Sequence, residues 1–202
     1  MRLNSLKTMR AKYLLIVVLS LSLFACKEKQ NSNSVKEENK EEVQTYFSIT
    51  EYFVDQWNNR RGNPYTLLRI VTLNGKSDSA FVVMDSTLWF SLRAKFDAAD
   101  ISDPKFLGKY KDEIFNDETT ETNHIYFEAK EPNLFMQKMD ISVDMFNDKV
   151  KSVYVETRED KENYAHTQKL QYIPDRIFQF QESERSSDAP DKELRIEYRF
   201  DY

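Results

Sequence analysis

Few residues of this 202-residue chain are of types that do chemistry. There are two histidines, His124 and His166, and neither stands in an HExxH or HxH spacing that would aim two ring nitrogens at one ion. Either a metal site or a Ser-His-acid relay would require them to meet carboxylates from other segments. The one cysteine is Cys26, so an intrachain disulfide, a CxxC redox pair and a zinc-thiolate cluster are all excluded. The three glycines (Gly62, Gly75, Gly108) are too dispersed for a GxGxxG turn, a Walker loop or a GxSxG elbow, which excludes nucleotide cradles and hydrolase elbows in their usual forms. Acids crowd "KDEIFNDETTE", Lys111 to Glu121, but without a glycine for the tight loop of an EF-hand. Asp140, Asp144 and Asp148 recur every fourth residue and read as partners for Lys149, Lys151 and Arg158 across a hairpin. The sequence predicts no catalytic residue, no metal site and no cofactor other than a covalent lipid.

The elements that must position these residues follow from periodicity. Val43, Tyr46, Phe47, Thr50, Phe53, Val54 and Trp57 follow the 3,4 spacing of one helical face. Ser48-Ile-Thr-Glu51 offers a capping box if that helix starts later, and Arg60-Arg61-Gly62 followed by Pro64 should end it. "YTLLRIVTL" and "SAFVVM" flank Asn74-Gly75, a hairpin signal, because both residues tolerate positive φ. Asp85 or Ser86 can cap a second helix with an apolar stripe of Leu88, Trp89, Leu92, Phe96 and Ala99, and Asp103-Pro104 marks its exit.

From Thr122 onward the period becomes two. Phe135, Met139, Ile141, Val143 and Met145 alternate with Met136, Lys138, Asp140, Ser142 and Asp144. Leu194, Ile196, Tyr198, Phe200 and Tyr202 alternate with charged neighbours. With turns at Asn147-Asp148 and Pro174-Asp175, residues 122–202 read as a five- or six-stranded antiparallel meander, wet on one face. The predicted fold class is α+β, with the two N-terminal-half helices and the hairpin packed on one face of that meander. His124 falls on the polar face of its strand and should be exposed; His166 opens a strand with Gln168 on its side and is read as equally bland.

The N-terminus carries a different signal. An apolar run of thirteen residues, Tyr13 to Ala25, interrupted only by Ser20 and Ser22, follows Arg2, Lys7, Arg10 and Lys12, with no acid among them. A bilayer-spanning helix needs about 20 such residues, so the layout is that of an export signal. Leu23-Phe24-Ala25-Cys26 resembles the lipobox of bacterial lipoproteins. That resemblance implies cleavage before Cys26, a diacylglycerol thioether on its sulfur and an N-acyl chain on its new amine, making Cys26 the lipid-attachment residue. Lys27 in second place is not the aspartate associated with inner-membrane retention, which favours the outer membrane; whether the domain faces the periplasm or the cell surface stays open.

The expected organisation is therefore a cleaved signal (1–25), a lipidated cysteine with a flexible polar tether (26–45), and one globular domain (46–202). Removing four cations from the 29 Lys+Arg leaves 25 against 34 Asp+Glu, a net −9 that disfavours nucleic acid and leaves attachment to the acyl chains. The 14 Phe, 11 Tyr and 2 Trp exceed what a small core needs unless helices and sheet form a thick one. Two functions follow. The first is a non-catalytic envelope lipoprotein serving protein contact or assembly. The second is a module binding an acyl chain or peptide between the sheet and the helix at 86–99; an enzyme would need a histidine in a cleft beside carboxylates.

Overall fold

The computed structural model describes residues 45–61 and 65–200; Cys26, Gly62 and Pro64 lie outside that range. Helix α1 (Ile49–Arg60) is followed by β1 (Tyr65–Leu73), β2 (Lys76–Met84) and helix α2 (Ser86–Asp97). Then come β3 (Tyr110–Asp117), β4 (Thr122–Ala129), β5 (Met136–Asp144), β6 (Val150–Lys161), β7 (Tyr164–Ile173), β8 (Ile177–Ser186) and β9 (Ala189–Arg199). All nine strands form one antiparallel sheet in the order β2-β1-β9-β8-β7-β6-β5-β4-β3. The fold is α+β.

Both helices start where side-chain oxygens can accept their free amide hydrogens. The Ser48 hydroxyl accepts from Glu51 N at 3.1 Å and the Asp85 carboxylate from Leu88 N at 2.8 Å. Because Ser48 caps α1, Tyr46 and Phe47 lie ahead of the helix in an extended lead-in rather than on its apolar face. Val54, expected on that face, is exposed. The stripe of α2 buries Trp89, Leu92 and Phe96, with Ala99 just beyond it.

The helices meet the sheet over β7 and β8. Phe53 lies 5.1 Å from Tyr172 and 6.0 Å from Phe178 between ring centroids; Trp89 lies 5.6 Å from Phe178, and Phe96 lies 5.9 Å from Phe180. Each of these fully buried side chains contributes roughly 1.5–3 kcal/mol relative to exposure. The rings of Phe53, Trp89 and Phe96 thus pack against those of Tyr172, Phe178 and Phe180 at the junction of helices and sheet.

Three expectations need correction. The sheet has nine strands, not five or six: β4–β9 occupy the predicted stretch, β3 precedes it, and the hairpin extends it. The hairpin does not pack on the sheet's face, because β1 continues the ladder from β9, pairing Leu68 with Arg199 through Leu73 with Leu194. Its turn is as expected, with Asn74 at φ 47° and Gly75 at φ 81°. In β5 a bulge between Met136 and Lys138 shifts the phase, so Met136 joins Met139 and Ile141 in the core while Phe135 is 38% exposed.

Candidate functional site

Two places on the helix-bearing face of the sheet could bind something. The first lies at the β3 edge, beyond the reach of both helices. There a cleft of about 490 Å³ opens between the lead-in to α1 and the last two strands, lined by Tyr46, Phe47, Leu107, Ile114, Ile125 and Phe127. Tyr46 is a fixed wall: its hydroxyl accepts from Gly108 N at 3.1 Å and donates to Tyr110 O at 3.4 Å, and its ring meets Phe127 at 5.3 Å. The opposite side is soft and open, with Ile114 75% exposed on a strand whose outer edge pairs with no described strand. Gly108, at φ +78°, turns the chain into β3, and the only polar side chains in the lining are Thr45 and Asp112 beside the Tyr46 hydroxyl. Apolar side chains predominate in the cleft, and polar atoms make up a substantial share of its surface.

The second place joins His166 of β7 to Glu182 and Glu184 of β8. Register sets His166 opposite Glu184 and Gln168 opposite Glu182, all on the face that carries Leu170 and Phe180 toward the core. His166 is not on a solvated surface: its side chain is 16% exposed, its Nε2 is buried without a hydrogen-bond partner, and Glu182 Oε2 lies 3.8 Å from it. Lys95, from the last turn of α2, donates to Glu182 Oε1 at 2.6 Å, and Lys192 donates to Glu184 Oε1 at 3.1 Å. Among the described residues this is the one group of three histidine, cysteine or acidic side chains whose donor atoms come within 4.8 Å of one another.

His124 lies on the opposite face, as its parity predicts, but it is covered rather than exposed. The Phe115 ring stacks on its imidazole at 4.7 Å and an interplanar angle of 4°. Its Nδ1 is 2.8 Å from Asp140 Oδ1 and its Nε2 is 3.0 Å from Thr122 Oγ1. The order hydroxyl, imidazole, carboxylate matches a nucleophilic relay, yet Thr122 is only 4% exposed and its hydroxyl also meets Thr120 Oγ1 at 2.7 Å. A nucleophile so enclosed has no approach for a substrate, and the arrangement acts as a satisfied polar network.

The acids of Lys111–Glu121 do not converge on a shared point. Asp117 closes the β3–β4 turn by accepting from Thr119 N and the Thr120 hydroxyl, which hold its carboxyl below the usual range, and Glu113 pairs with Lys111. Asp144 takes Lys151, as the spacing implied, whereas Asp140 takes His124 and Arg158 pairs with Asp160. No helix among the described residues is long and apolar enough to cross a membrane. No family model, curated protein or solved structure matches the chain.

Sequence reasoning missed the cleft because β3 shows no clean alternation: its residues are exposed on both faces except at the ends. It missed the histidine–glutamate group although a signal existed. Phe178-x-Phe180-x-Glu182-x-Glu184 starts apolar and ends acidic on one face, and the Pro174-Asp175 turn fixes what lies opposite.

Proposed function

We propose that this chain is a lipid-anchored lipoprotein of the bacterial cell envelope, attached through acyl chains on Cys26, whose domain is a non-catalytic binding module for an extended segment of a partner protein. The outer membrane is the favoured location. The observation that carries this reading is the apolar cleft beside the open edge of β3. A segment laid along that edge would satisfy the outward amide and carbonyl groups of β3, and its alternate side chains would enter the cleft beside Ile114 and Ile125. Thr45 lines the cleft, so a tether of residues 26–45 would leave the domain at its rim.

A second reading is a hydrophobic ligand in the same cleft, whose volume falls within the range of small-molecule sites. A photo-crosslinking residue in place of Ile114, installed in the full-length protein in intact cells, tests both. A discrete protein adduct, lost when Glu replaces Ile125 and absent when the crosslinker replaces the 76% exposed Phe146, is the expected result. Adducts with lipid alone would favour the second reading, and no adduct at Ile114 would refute both.

A further inference from the structure

We infer that His166, Glu182 and Glu184 form a binding site for a divalent first-row transition cation of the zinc class, independent of the cleft at β3. His166 Nε2 is a buried nitrogen with no hydrogen-bond partner, which is costly in a folded interior unless a ligand uses the lone pair. It faces Glu182 Oε2 at 3.8 Å, and all three donor atoms lie within 4.8 Å of one another. Nitrogen and carboxylate ligands around Zn²⁺ sit about 2.0–2.2 Å from the metal, which places neighbouring donors roughly 3.4 Å apart in a tetrahedron. Closing onto an ion thus requires side-chain movement of about an ångström, within the scope of the glutamate torsions.

The two lysines support the arrangement rather than block it. Lys95 and Lys192 bind Oε1 of Glu182 and Glu184, and Glu182 turns its other oxygen, Oε2, to His166 Nε2 at 3.8 Å. Hydrogen bonds to the far oxygen of a ligating carboxylate are the usual outer support of a metal site, fixing its orientation. Three protein donors leave a fourth position for water. A mixed imidazole and carboxylate set suits zinc, copper, nickel or cobalt; calcium, which takes six or more oxygens, is excluded by the nitrogen and the small ligand number. The strands fix the spacing, because His166 and Glu184 are directly opposed in the β7–β8 ladder.

The test uses the intact, metal-stripped protein and Zn²⁺ alone. At a hundredfold excess over the dissociation constant the melting temperature should rise by roughly 5–10 °C. The ring signals of His166 should shift while those of His124 stay in place. His166→Gln should abolish the rise, Glu182→Gln should weaken binding at least tenfold, and His124→Gln should leave it intact. Absence of a rise in the wild type, its survival in His166→Gln, or an equal rise with Ca²⁺ would overturn the assignment. Should His166→Gln fail to fold, the ring signals of the wild-type protein decide: a Zn²⁺-dependent shift of His166 alone supports the site, and none refutes it.

Discussion

The Ser48 hydroxyl donates to the Asp100 carboxylate across 3.0 Å, joining the cap of α1 to the chain just past α2. The same carboxylate accepts from Thr50 N at 2.8 Å and Ser102 N at 2.7 Å. Burial alone would raise the pKa of Asp100, but the hydrogen bonds from Ser102 and Thr50 outweigh it and hold the carboxyl below its usual 3.8. The folded state therefore favours the ionised form. Its contribution is fully present above the unfolded-state value and is lost as pH falls through the lower folded-state value. Asp100→Asn should lower stability at neutral pH by about 1–2 kcal/mol, the scale of hydrogen bonds to a charged acceptor at a half-buried site. Urea midpoints of wild type and variant should converge in acid, and a constant gap at every pH would refute the assignment.

At the other end of the pH scale the buried tyrosines set the limit. Burial pushes the Tyr110 phenol up to about 12, and it pushes Tyr52 and Tyr172 higher still. Their neutral forms belong to the fold, so stability is intact below the ordinary value near 10 and declines as pH rises above it, where the unfolded chain ionises first. Tyrosinate absorbance should rise in two stages, exposed phenols first and buried ones only together with unfolding. A single smooth titration at the ordinary value with the fold intact would contradict the burial.

The ring cluster over β7 and β8 should dominate core energetics. Phe178 touches Phe53, Trp89, Phe96, Tyr172 and Phe180 and is fully buried. Phe178→Ala should cost about 3–5 kcal/mol, whereas Phe135→Ala, at a 38% exposed site, should cost far less. Trp89 Nε1 is buried without a partner, so Trp89→Phe loses volume but no hydrogen bond. Its cost in chemical denaturation should stay well below that of Phe178→Ala.

How much of this was legible depends on how directly each feature reports its own surroundings. The stripe Trp89, Leu92, Phe96, Ala99 announced a buried face, because it repeats with the period of its helix, whereas in β9 the alternation reports burial only at Tyr198: Leu194 and Ile196 are partly exposed and Glu197 on the other face is buried. Asn74-Gly75 announced a turn, because positive φ is a local requirement. What failed was non-local. Nothing in "YTLLRIVTL" says that β9 will be its neighbour, and nothing in "YKDEIFND" marks an edge strand whose faces both meet solvent. The parity of β4 gives the face of His124, but not its cover, which comes from Phe115 of the neighbouring β3. The site at His166 is an intermediate case. The Pro174-Asp175 turn was visible, and counting outward from it sets Ile173 against Ile177 and His166 against Glu184. Parity within one strand does not reveal this group; register across the hairpin does.

The hairpin turn offers a test of backbone strain free of packing. A Cβ at Gly75 would meet no atom within 4 Å, so Gly75→Ala changes only the cost of φ +81°. A penalty of about 1 kcal/mol is expected, measured as a shift in denaturant midpoint without a change in slope. Asn74→Gly relieves φ 47° but removes the bond that Asn74 Oδ1 accepts from Glu193 N at 2.8 Å, so a net loss of about 0.5–1 kcal/mol is expected. A neutral Gly75→Ala would mean that the turn relaxes to another type.

On the proposed reading attachment would rest on Cys26, because the chain holds no other thiol and its 34 Asp+Glu outnumber its 29 Lys+Arg. One acyl chain binds a bilayer reversibly, and stable anchoring takes two or more, as a diacylglycerol plus an N-acyl group would provide. In cells grown with labelled palmitate, the wild-type protein should carry label and sediment with membranes. Cys26→Ala should carry none, retain its signal and change in mobility, since the lipid-dependent cleavage before residue 26 would not occur. The folded domain should be unaffected, with the same melting temperature as the wild type. Label persisting in Cys26→Ala would refute attachment through this residue, and an unlabelled, soluble wild type would reduce the lipobox to an ordinary export signal.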